Sequence, residues 1–72
     1  MVSTTFPDLD IFFLEGGRGN QWVGAAESER EAIRLIRNSA ERTPGIYLVY
    51  SQFLQSKVYY EAAKNGAVKR TA

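Results

Sequence analysis

The chain has 72 residues, with nine Lys and Arg against eight Asp and Glu, and it contains neither cysteine nor histidine. These counts fit one small domain and exclude disulfides, thiolate or imidazole metal sites, and any catalytic dyad or triad built on histidine. A net charge of +1 says nothing about partners, and a core this small needs close packing or self-association to be robust.

A single domain over residues 1–72 is expected, with an ordered core at about 8–62 and loose ends. Phe6-Pro7 reads as extended backbone. Asp8-Leu9-Asp10 starts like a calcium loop. The third acid, the glycine and the distal glutamate of that loop are missing, so the segment reads as a turn. Residues 10–15 form the first expected strand. Its run Ile11-Phe12-Phe13-Leu14 puts bulk on both faces, because consecutive side chains point to opposite sides of a strand.

The glycine-rich stretch at 15–20 matches neither a Walker loop nor a dinucleotide loop, since Gly17-x-Gly19 runs into Asn20-Gln21-Trp22 rather than into a helix. A hairpin connection is the better reading. The second strand is expected at 21–26, with Trp22, Gly24 and Ala26 on one side and Val23 and Ala25 on the other. Trp22, the only tryptophan, reads as a core or interface anchor.

Residues 28–41 read as an amphipathic helix. Ser28 and Glu31 have capping-box spacing, and Glu29 and Glu31 put negative charge in the first turn. On a 3.6-residue wheel, Ala32, Ile33, Leu35, Ile36 and Ala40 fall in one arc that also contains Ser39, with Arg30, Arg34, Arg37 and Glu41 opposite. The arginine stripe suggests phosphate binding. However, residues 27–42 hold four acids and four bases, so a solvated face with pairs at three- and four-residue spacing is favoured. Pro44-Gly45 ends the helix.

Ile46-Tyr47-Leu48-Val49-Tyr50 is a strand by content, with Ile46, Leu48 and Tyr50 on one face and Tyr47 and Val49 on the other. Residues 51–56 read as a reversal into a fourth strand at 57–61, where Val58 and Tyr60 alternate with Lys57, Tyr59 and Glu61. A helix over 51–63, capped by Ser51, competes with this strand. The cluster Val58-Tyr59-Tyr60 favours the strand. Asn65-Gly66 is a turn signal, followed by a short extra strand or a tail.

This order places a Trp-bearing strand after a glycine-rich turn. A Ser-capped helix with Glu31-Ala32-Ile33 comes next, then strands carrying Leu48-Val49 and Val58-Tyr59. Over residues 10–61 it is similar to small uncharacterised bacterial β-β-α-β-β domains. The resemblance implies the fold and a bacterial source, and it brings no activity with it.

The expected fold class is therefore α+β, a small antiparallel or mixed four-stranded sheet with one helix on one face. The other face must expose aromatics, and contiguous exposed apolar surface marks an interaction site. Candidate surface residues are Phe12, Leu14, Trp22, Tyr47 and Tyr59. The expected function is a structural or protein-interaction module that forms a homodimer through its sheet or binds another protein. The alternative is single-stranded nucleic-acid binding, with Arg18, Lys57, Lys64, Lys69 and Arg70 meeting phosphates. Residues 57–72 hold four bases and one acid, although no RNP signature is present. No recognisable acid/base or nucleophile set points to an enzyme, and no cofactor, metal or membrane is expected. The chain lacks a signal-peptide pattern and any apolar run of spanning length, and a cytoplasmic location is expected.

Overall fold

The computed structural model describes residues 8–14 and 20–71. Five strands and one helix follow in the order β1 (Leu9–Leu14), β2 (Asn20–Ala26), α1 (Glu29–Ala40), β3 (Gly45–Ser51), β4 (Ser56–Ala62) and β5 (Val68–Arg70). All neighbouring strands pair antiparallel in one sheet, ordered β2-β1-β3-β4-β5. The α+β class is as expected, but the sheet has five strands rather than four. The added strand is β5, which pairs with the end of β4 through Ala62 and Val68. The glycine-rich stretch at 15–19 lies outside the described residues; the strands on either side pair antiparallel, as a hairpin requires.

The helix begins where its cap dictates. Ser28 is extended, and its hydroxyl accepts from the Glu31 amide at 3.2 Å, satisfying one of the free donors of the first turn. Ala32, Ile36 and Ala40 are buried, with Ile33 and Leu35 packed beside them. Arg30, Arg34 and Arg37 are exposed, as a solvated face requires. Arg37 also ties down the last hairpin, because its Nε donates to the Gly66 carbonyl at 3.0 Å.

The helix-facing side of the sheet comprises Leu9, Ile11 and Phe13 on β1, Tyr47 and Val49 on β3, Val58, Tyr60 and Ala62 on β4, and Ala26 on β2. Gly24 belongs to the same side: a Cβ placed there would stand 3.7 Å from Leu35. One feature of β2 departs from simple alternation. Ile11 pairs with Gly24, but the next residue, Phe12, pairs with Trp22, so Val23 is an extra residue in a β-bulge. The bulge turns Trp22 to the face opposite Gly24 and Ala26, where an unbroken strand would have kept all three together.

Residues 51–63 take the strand alternative. The β3–β4 ladder runs from Gly45–Ala62 to Ser51–Ser56 and leaves Gln52 to Gln55 as the reversal. Asp8 and Asp10, read as part of a turn, instead lead into and join β1.

Two tyrosines close the covered side. Tyr47 is fully buried; its hydroxyl donates to the Thr43 carbonyl and accepts from the Ser39 hydroxyl at 2.9 Å. Tyr60 is 3 % exposed. Burial pushes its phenol above the ordinary value, and the charge and hydrogen bonding of Glu29 add to the shift, while Arg70 opposes it.

Two outcomes are expected. Tyr47→Phe strands the Ser39 and Thr43 groups and lowers unfolding free energy by about 1–2 kcal/mol in urea titrations. For Tyr60 the folded state holds its proton more tightly than the unfolded chain. Its contribution is therefore complete below about pH 10 and is lost as pH rises through the folded value. Tyr60→Phe flattens the alkaline loss of stability measured by melts between about pH 8 and pH 11.

Candidate functional site

Opposed residues in an antiparallel ladder share a face, so the pairings assign the side of the sheet away from α1. Its middle row runs Trp22, Phe12, Leu48, Tyr59 across β2, β1, β3 and β4. A row on one side holds Ala25, Asp10, Tyr50 and Lys57. The row on the other side holds Asn20, Leu14, Ile46, Glu61 and Lys69. Trp22 is 60 % exposed, whereas Leu48, enclosed between Phe12 and Tyr59, is buried. Phe12, Leu14, Ile46, Tyr50 and Tyr59 are half-buried. Among the described residues no helix or second sheet lies over this side.

Four of the five candidate surface residues, Phe12, Leu14, Trp22 and Tyr59, therefore come together. Tyr47 stands apart: it is buried under the helix, with its ring centroid 5.1 Å from that of Phe13. It offers nothing to a partner on the open face. Ile46, Leu48 and Tyr50 complete the patch, and their signal was the alternation within β3.

The cations of the nucleic-acid alternative are divided. Lys57 and Lys69 lie on the open face, while Arg70 pairs across from Tyr60, whose side chain is on the covered side. Lys64 is exposed between β4 and β5. Arg18 is outside the described residues. Asp10 and Glu61 put negative charge on the same face as the two lysines.

The reversal between β3 and β4 carries two features with no sequence signal. Phe53 and Leu54 are 85 % and 70 % exposed. Yet the turn that carries them is hydrogen-bonded throughout. The Asp8 carboxylate accepts from the Ser51 hydroxyl at 2.7 Å and from the Phe53 amide at 2.9 Å. The Ser51 hydroxyl accepts from the Leu54 amide at 3.1 Å, and the Gln52 side chain donates to Asp10 at 2.6 Å. The two apolar side chains thus project from a fastened tip.

A cleft of about 550 Å³ lies between the end of α1 and β2, bordered by Trp22, Val23, Asn38 and Arg42. Its charged residues, Glu41 and Arg42, are solvent-exposed, so it lacks the desolvated acid or base that catalysis in a pocket requires. Among the described residues no group of three acidic, Cys or His side chains is arranged to hold a metal ion, and no helix is long and apolar enough to cross a membrane. Comparison with family models, curated proteins and solved structures gives no match. The resemblance to small bacterial domains accordingly rests on the order of elements alone.

Removing the carboxylate with Asp8→Ala should loosen the tip without disturbing the core. The Phe53 and Leu54 amides should exchange about tenfold faster with deuterated solvent, and those of β1 and α1 should be unchanged.

Proposed function

We propose that this protein is a small structural or interaction module that pairs with a second copy of itself through the open face of its sheet. The row Trp22, Phe12, Leu48, Tyr59, bordered by Leu14, Ile46 and Tyr50, carries this reading. Aromatic residues clustered at the centre of a surface with charges at its margin have the make-up of an interface core and rim. Face-to-face stacking of two such sheets forms a core about 10 Å thick, and a two-fold arrangement buries both copies' patches at once.

The size of the patch sets the strength of association. Four strands about 4.8 Å apart, each offering three outward residues over about 14 Å, give a flat area of only a few hundred Å² per copy. That is below the range of stable specific interfaces and fits only a weak one. The dimer is therefore a reversible, concentration-dependent one. Light scattering coupled to size exclusion should give twice the chain mass at high concentration and a lower mass on dilution. Trp22→Ser with Tyr59→Ser should weaken association at least tenfold, the loss expected of interface anchors. Both substitutions are outside the covered core, so the fold is retained. A wild-type chain that stays monomeric at high concentration rejects the proposal.

A second reading uses the same face. Trp22 and Tyr59 offer stacking surfaces, and Lys57 and Lys69 stand beside Tyr59, a combination that suits unpaired bases. A single-stranded oligonucleotide titrated at low salt decides it. Binding that weakens steeply with salt supports this reading, and no binding removes it.

A further inference from the structure

The open face holds charge in an arrangement that suits one orientation of a second copy. Lys57 and Glu61 lie on β4, two residues on either side of Tyr59. Residues two apart on a strand share a face, so both point outward with Tyr59. They are about 14 Å apart along the strand, too far to pair within one copy. Lys57 is opposed on β3 by Tyr50, which gives it no carboxylate partner there. Glu61 is opposed by Ile46 on β3 and by Lys69 on β5.

Two-fold axes lying in the plane between stacked sheets come in two simple orientations. An axis along the strands exchanges β1 with β3 and β2 with β4. It sets Lys57 over Ala25 and Glu61 over Asn20, leaving both charges against uncharged residues. An axis across the strands, along the Trp22–Tyr59 row, keeps each strand over its own copy and exchanges the two outer rows. Lys57 then faces Glu61 of the second copy, and Glu61 faces its Lys57, so two pairs form from one self-complementary strand; Asp10 comes over Leu14, where its carboxylate keeps the Gln52 side chain as its partner. The usual angle of about 30° between stacked sheets moves facing positions apart by about 5 Å, which a lysine stem can span.

We infer that the two copies dock about a two-fold axis crossing the strands along the Trp22–Tyr59 row, with Lys57 of each copy paired to Glu61 of the other. The inference rests on the self-association proposed above and adds its orientation.

Charge reversal tests the orientation. Dissociation constants are measured by sedimentation equilibrium near physiological salt for the wild type, Lys57→Glu, Glu61→Lys, the double variant, and Arg34→Glu on the exposed helix face as control. Each single reversal places like charges at two symmetric positions and should weaken the dimer at least tenfold. The double variant restores opposite charges and should return to within about threefold of wild type. An equimolar mixture of the two single variants should form a heterodimer, since both of its pairs are again complementary. If the wild type dimerises but single reversals behave like Arg34→Glu, the orientation is overturned and face-to-face association stands. If the double variant is as weak as the singles, the pairing is also overturned. A monomeric wild type overturns orientation and association together.

Discussion

A pleated strand sends consecutive side chains to opposite faces, so the run Ile11-Phe12-Phe13-Leu14 asks for apolar cover on two sides. One helix, about 10 Å across with its side chains, spans only two or three strand spacings on one of them. The structure meets the covered side with rings rather than with a second helix. Phe13, Tyr47 and Tyr60 fill the space toward β3 and β4, and each tyrosine brings a hydroxyl that needs a partner when buried. For Tyr47 those partners are Ser39 and Thr43 at the C-terminal end of α1. Its polar tip therefore fixes that end of the helix over the sheet while the ring bodies supply the core.

The bulge in β2 is what gives the other side its centre. α1 lies over Gly24 and Ala26, with Leu35 3.7 Å from a Cβ placed at Gly24. In an unbroken strand a tryptophan two residues before Gly24 would stand on this covered side. The extra residue Val23 moves Trp22 to the open side, level with Phe12. One insertion thus reconciles close helix packing with an aromatic anchor on the opposite surface.

Much of this was legible in the sequence, and the limits were physical. The helix was readable because its cap, its apolar arc and its terminator agree. The faces of β3 and β4 were readable because their residues alternate without interruption, which also supported strand over helix at 51–63. The side of the sheet that each face takes was not readable, since two-fold periodicity is unchanged by swapping faces. Alternation therefore offers both Tyr47 and Tyr59 to a partner, although only Tyr59 is on the open side. The bulge leaves no compositional mark, so plain alternation groups Trp22 with Gly24 and Ala26. Asp8 contacts the turn through pairs separated by 43 and 45 positions, and no local pattern encodes such a contact.

A sheet can also associate through its edges, and this one discourages that route at both of them. The β5 edge is three residues long and carries the exposed Lys69 and Arg70, a short charged border of the kind that resists strand addition. The β2 edge is broken by its bulge, which interrupts the regular row of donors and acceptors that a new strand would read. What remains open is the broad side, whose apolar middle row is flanked by charge at both ends. Such a layout favours partners that match it in charge as well as in shape. In the proposed dimer the apolar row supplies attraction without direction, and the charges on β4 supply direction.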